Sequence, residues 1–151
     1  MKIPGLSLTD EECKNINSQF STWADHFTKL LYSQGMVWLI SQYETVVTTC
    51  ELETCHHGPN GTALRGEAFR DCCGISYEYM NDISCRYALQ IIIDSVSDLE
   101  KARIQGLISE LDQRLKALLD KNPEIYRDTE MAEKPKDIFW WHYKLPVTIR
   151  P

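Results

Sequence analysis

The chain has 151 residues, of which 43% are hydrophobic and 25% are charged, and its formal net charge is −6. This is the composition of a soluble globular protein, and a chain of this length forms one domain with a core large enough to fold without disulfides. The acidic balance argues against a general nucleic-acid binder, which needs a basic face, and against binding to an anionic membrane surface.

The N-terminal region has no apolar run long enough for the hydrophobic part of a signal peptide. The longest apolar stretch, GMVWLI at 35–40, is much shorter than a membrane span. These features predict a cytoplasmic protein. Thiols stay reduced in that compartment, so we expect the six cysteines to be core residues or metal ligands and not disulfides.

Four helices are predicted in chain order, at about 9–33, 36–49, 76–96 and 97–121. The first begins with the capping box TDEE, and the fourth begins with a second capping box, SDLE. The second helix is apolar on most faces, although its β-branched end, TVVTT, makes a strand the competing interpretation. The inward face of the fourth helix is expected to carry Ile104, Leu107, Ile108, Leu111, Leu115, Leu118 and Leu119. The predicted fold is therefore mainly α, a four-helix bundle-like single domain.

The C-terminal tail, 123–151, differs from the helices because it is rich in proline and aromatic residues. Around DIFWWHYKL the pattern favours turns and extended structure, with at most one short strand. We expect these aromatic residues to pack across the bundle and close one end of the core. One tryptophan of the Trp140–Trp141 pair is then buried and the other lies at a rim.

The segment CELETCHHGPNGTALRGEAFRDCC, here called the Cys/His segment, covers residues 50–73. It is predicted to be a long loop between the second and third helices. GPNG indicates a turn, and GEAFRDC is expected to form a short helix between two glycines. Loops of this length are uncommon in compact domains and are often functional.

A metal site is one interpretation of this segment. The candidate ligands are Cys50, Cys55, His56, His57, Cys72 and Cys73. Cysteine and histidine are the ligand types that zinc prefers. The spacing argues against a site, because strong zinc motifs place two to four residues between cysteines, and the adjacent Cys72 and Cys73 are expected not to share one ion.

A small hydrolase is another alternative, with His57 acting beside Glu67 or Asp71. Cys55 and His56 are sequence neighbours, and such neighbours seldom point at each other. The sequence also has no phosphate-binding glycine loop, no nucleophile elbow and no HExxH metalloprotease motif. We therefore predict no enzymatic activity and assign no catalytic residue.

The leading hypothesis is a small acidic module that binds another protein. The net negative charge lies within residues 1–96, and charge of one sign speeds the association of oppositely charged partners. Bacterial immunity proteins and antitoxins that cover toxin nucleases share this profile, which implies a basic partner. The predicted contact residues are Glu44, Glu51, Glu53, Glu67, Asp71, Trp140, Trp141 and Tyr143. No cofactor is expected under this hypothesis, and zinc is the cofactor of the metal-site alternative.

Overall fold

The computed structural model describes residues 1–123 and 135–151. The described part is mainly helical, which confirms the predicted fold class. Its elements are α1 (Asp10–Phe20), α2 (Asp25–Leu52), β1 (Thr54–Cys55), β2 (Leu64–Arg65), α3 (Glu67–Arg70), α4 (Ser76–Asp82), α5 (Ser84–Ser95) and α6 (Asp98–Asp120), with short 3-10 turns at Pro59–Gly61 and Trp140–His142. No helix in the described ranges is long and apolar enough to cross a membrane.

The internal contacts of the chain divide it into two compact units. The first unit consists of Met1–Glu44 and Ser84–Ser109, and the second of Thr45–Ile83 and Glu110–Pro151. Helices α2 and α6 therefore contribute residues to both units. The Cys/His segment and the described part of the C-terminal tail belong to the second unit.

Helix α1 begins with the predicted capping box. The Glu12 amide donates to the Thr9 hydroxyl at 3.1 Å, and the Thr9 amide donates to the Glu12 carboxylate at 2.8 Å. The helix ends at Phe20, so the prediction of one helix over 9–33 is wrong. The Ser21 hydroxyl donates to the Ser18 carbonyl at 2.6 Å. Such local side-chain bonds compete with the helical backbone pattern and favour termination.

Helix α2 is interrupted at Gly35, whose φ is 75° and ψ is −154°. The break predicted between residues 33 and 36 is therefore confirmed. The Met36 amide donates to the Pro4 carbonyl at 2.9 Å, so the N-terminal segment contacts the interruption. The β-branched stretch TVVTT is helical, and the competing strand interpretation is wrong.

The predicted third helix, 76–96, is two helices that meet at Ile83. Ile83 ends α4 with a ψ of −4°, and its amide donates to the Tyr79 carbonyl at 2.8 Å. Residues Asn81, Asp82 and Ser84 surround this break, and their short polar side chains favour helix ends over helix interiors. Within the first unit, α5 packs against α1.

Helix α6 confirms the predicted fourth helix, and most of its inward residues are buried. These are Ile104, Ile108, Leu111, Leu115, Leu118 and Leu119. Leu107 is an exception because 53% of its surface is exposed. Three residues along a helix rotate by about 300°, roughly 60° short of a full turn, which places Leu107 at the edge of the stripe that begins at Ile104.

The described part of the tail, 135–151, packs onto other parts of the second unit. Trp141 is fully buried and Trp140 is half-buried, with the Lys116 ammonium 5.1 Å from its ring. This is the predicted arrangement of one buried tryptophan and one at a rim. Residues 135–151 form turns and a single parallel bridge, Ile75 to Arg150. The prediction for 124–134 lies outside the described residues.

Candidate metal centre

Four side chains of the Cys/His segment converge on one point. They belong to Cys55, His57, Cys72 and Cys73, and their donor atoms all lie within 4.8 Å of one another. Nδ1 of His57 is 3.1 Å from Sγ of Cys73 and 3.6 Å from Sγ of Cys72. The two adjacent sulfurs, of Cys72 and Cys73, are 4.0 Å apart.

These distances are within about half an ångström of the edges of a tetrahedron around one metal ion. With Zn–S bonds of about 2.3 Å and a Zn–N bond of about 2.0 Å, tetrahedral ligand atoms are roughly 3.5–3.8 Å apart. The measured separations of 3.1, 3.6 and 4.0 Å lie on both sides of that range. Three cysteines and one histidine also form one of the ligand sets of structural zinc sites.

A short hairpin brings the first two ligands into place. Strands β1 and β2 pair antiparallel, with Cys55 opposite Leu64. The turn between them is closed by hydrogen bonds between Gly58 and Thr62 and between Gly61 and Gly58, each 3.0 Å long. The chain therefore reverses immediately after His57, which keeps this imidazole beside Cys55.

The turn after α3 supplies the other two ligands. The amides of Cys72 and Gly74 both donate to the Phe69 carbonyl, at 3.0 and 2.8 Å. The Phe69 side chain is fully buried and anchors this turn. In the resulting backbone conformation both thiols contact the His57 imidazole, so the two adjacent cysteines face the same point.

Two of the six predicted ligands lie outside this cluster. Cys50 is in α2 and is 3% exposed, and burial, together with the charges of Asp82 and Glu51, raises its thiol pKa to about 12. His56 is exposed and is not part of the group of four. The prediction from residue types thus included all four clustered donors, but it also included Cys50 and His56, which lie outside the cluster.

The pKa values of the three clustered thiols are shifted in different directions. Burial and the neighbouring Cys55 raise the pKa of Cys73, and the same two causes raise the pKa of Cys72. Burial also acts to raise the pKa of Cys55, but hydrogen bonds from His57 and Cys73 outweigh it and the pKa is lowered. The pKa of Cys55 is thus shifted in the direction opposite to the pKa values of Cys72 and Cys73. A second and third thiolate in the same space need a cation to offset their repulsion.

Sequence reasoning did not single out Asp82, which lies at the end of α4. Burial and the charge of Glu78 raise the pKa of its carboxyl group to about 6, and His57 acts in the opposite direction. The carboxylate of Asp82 is therefore close enough to the His57 imidazole for their charges to interact. No spacing rule connects residues 25 positions apart on different elements, so only the folded chain reveals this neighbour.

Most of the acidic residues predicted to contact a partner bind the chain's own arginines. Glu51 accepts two hydrogen bonds of 3.1 Å from Nε of Arg114. The other pairs are Glu53 with Arg70 at 3.7 Å, Glu67 with Arg70 at 3.5 Å and with Arg150 at 2.7 Å, and Asp71 with Arg150 at 2.7 Å. These pairs offset much of the acidic charge around the Cys/His segment. Glu44 is exposed on α2.

The aromatic residues predicted for the same contact surface are only partly accessible. Trp141 is fully buried, so its assignment as a contact residue is wrong, because core packing takes its whole surface. Trp140 and Tyr143 are half-buried, and the Lys136 ammonium lies 5.3 Å from the Tyr143 ring. The carboxylates of the hydrolase alternative, Glu67 and Asp71, bind Arg150, whereas Nδ1 of His57 faces the thiols.

Comparison with known proteins gives no relative from which a function can be transferred: no protein-family model matches the chain, and no curated protein or solved structure matches it either.

Proposed function

We propose that this protein is a zinc-binding module in which Cys55, His57, Cys72 and Cys73 hold one ion. The observation that carries the proposal is the convergence of these four donor atoms within 4.8 Å of one another. Soft thiolate ligands favour zinc over magnesium, calcium and manganese, which prefer oxygen ligands. A site this compact accommodates a single ion.

The role of the ion is structural. Four protein ligands complete a tetrahedral shell and leave no position for a substrate or a reactive water, whereas catalytic zinc sites keep one position open. The segment around the ligands has little regular structure of its own, since β1 and β2 have two residues each and α3 has four. Its folded conformation therefore depends on the ion, as in other small metal-organised segments.

A cytoplasmic location is part of the same proposal. All six cysteines are free thiols, and three of them, Cys55, Cys72 and Cys73, belong to the cluster. Thiolate ligands need a compartment that keeps them reduced, and the cytosol does so.

The test is the metal content of protein purified without chelator. The wild-type chain is expected to carry about one equivalent of zinc, and Cys73→Ala is expected to carry a small fraction of this because one ligand is lost. Cys50→Ala is the matched control: it removes a buried cysteine of the same segment that lies outside the cluster, and it should keep the full equivalent. The proposal is wrong if the wild-type chain contains no transition metal or if both variants lose it equally.

Binding of a basic protein, as bacterial immunity proteins and antitoxins do with their toxins, is a second proposal. The net charge of −6 and the exposed position of Glu44 support it. The ion pairs of Glu51, Glu67 and Asp71 weaken this second proposal, because Arg114 and Arg150 already neutralise part of the negative charge that a basic partner would bind. Affinity capture from the native source at low and high salt tests it, and the capture of no salt-sensitive basic partner would rule it out.

A further inference from the structure

Arg150, in the described tail 135–151, holds the chain on both sides of the adjacent cysteines Cys72 and Cys73. Its amide donates to the Gly74 carbonyl at 2.7 Å, and its carbonyl accepts from the Ser76 amide at 2.8 Å. These two bonds fix the backbone immediately after the ligand pair.

The side chain of Arg150 fixes the residues before the pair. One guanidinium nitrogen donates to Oδ1 of Asp71 and another to Oε2 of Glu67, both at 2.7 Å. Hydrogen bonds between ions are about twice as strong as neutral ones, and the guanidinium fork imposes their direction. Helix α3 is a single turn from Glu67 to Arg70, so it needs this outside support to keep its orientation.

Residues 147–149, which with Arg150 are here called the C-terminal segment, contact the chain that precedes the first ligand, Cys55. The Thr148 hydroxyl donates to the Cys50 carbonyl at 2.8 Å, near the end of α2 and shortly before Cys55. The Val147 amide donates to the Leu118 carbonyl at 3.0 Å, and the side chain of Ile149 is 5% exposed. Residues 147–150 therefore contact the chain ahead of the first ligand and around the last two.

We propose that Arg150 is a positioning residue of the metal site: it orients the turn that carries Cys72 and Cys73, and metal binding in turn orders the C-terminal segment. This inference rests on the proposed zinc site. Two processes that depend on one conformation strengthen each other reciprocally. Residues that orient metal ligands without touching the ion typically change metal affinity 10- to 100-fold when they are mutated.

The first test measures metal affinity by Co²⁺ and Zn²⁺ titration of the full chain against a competing chelator. Arg150→Ala is expected to bind the metal about 10- to 100-fold more weakly, with a shifted Co²⁺ absorption band that reports the changed ligand geometry. Arg150→Lys should lie between, because a single ammonium cannot bridge both carboxylates as the guanidinium does. Arg103→Ala is the matched control: Arg103 has a similar side-chain exposure, 44% against 41%, and its guanidinium also binds a carboxylate, that of Glu100, but it lies in the first unit.

A second test needs no variant. Hydrogen exchange of the wild-type Arg150 amide should become at least about tenfold faster after the metal is removed, because its bond to Gly74 opens with the site. The Met36 amide, bonded to Pro4 in the first unit, is the internal reference and should not change.

The outcomes separate the two proposals. If the wild-type chain binds no metal, the zinc site is refuted together with this inference. If the wild-type chain binds metal but Arg150→Ala equals Arg103→Ala in affinity, and Arg150 amide exchange does not respond to the metal, the zinc site stands and the positioning role is wrong.

Discussion

Replacing Gly35 with alanine tests the interruption of α2. The backbone there has φ 75° and ψ −154°, a region essentially restricted to glycine, and other residues are strained in it by about 1–3 kcal/mol. A Cβ at this position would lie 2.2 Å from the Pro4 carbonyl oxygen and 2.6 Å from the Pro4 Cβ. The N-terminal segment must therefore move away. That movement breaks the hydrogen bond from the Met36 amide to Pro4, which contributes about 1 kcal/mol.

The expected loss of unfolding free energy is about 2–4 kcal/mol, and for a chain of this length each kcal/mol lowers Tm by roughly 2–4 °C. Urea unfolding followed by circular dichroism measures it. Gly106→Ala is the matched control. Gly106 lies inside α6, and a Cβ there meets no other atom within 4 Å. This variant should be more stable by about 0.5–1 kcal/mol because alanine favours the helix. A Gly35→Ala variant as stable as the wild type would refute the reasoning.

The remaining predictions concern packing, capping and charge. Trp141→Ala should destabilise the protein by about 3–5 kcal/mol in urea unfolding, and Trp140→Ala by clearly less, because only Trp141 is fully buried; equal losses would contradict this. Thr9→Ala should lower the unfolding free energy by about 1 kcal/mol through loss of the capping box, whereas Thr9→Ser should retain most of it. The hydrogen bonds from Arg114 lower the pKa of Glu51 against the opposing effect of burial, so the pair stabilises the fold at pH 7 and this contribution disappears as the pH falls through the lowered pKa. Arg114→Ala should therefore be less stable by up to about 1 kcal/mol at pH 7 and equal to the wild type in strong acid; a difference that persists at low pH would contradict the assignment.

Local signals in the sequence predicted much of the helical structure. The capping box at Thr9, the glycine at 35 and the apolar periodicity of α6 act over a few residues, so they are readable without the fold. The breaks after Phe20 and at Ile83 were missed because apolar spacing continues across them. Their only local signals are short polar residues, which favour helix ends but do not by themselves end a helix whose apolar spacing continues.

The candidate metal site was predictable only in part. The ligand types in the Cys/His segment indicated it, but the choice of ligands depends on tertiary structure. Spacing alone could not show that Cys55 belongs to the cluster and Cys50 does not. Cys50 is buried in α2, whereas the register of the hairpin places Cys55 opposite Leu64. The role of Arg150 was not readable at all, since it meets Asp71 across 79 positions of the chain.

The proposed zinc site is tested most directly by X-ray absorption spectroscopy of the metal-loaded 151-residue chain. We expect one zinc ion with three sulfur ligands at about 2.3 Å and one imidazole nitrogen at about 2.0 Å. A shell of oxygen and nitrogen alone, or a second metal in contact with the first, would contradict it.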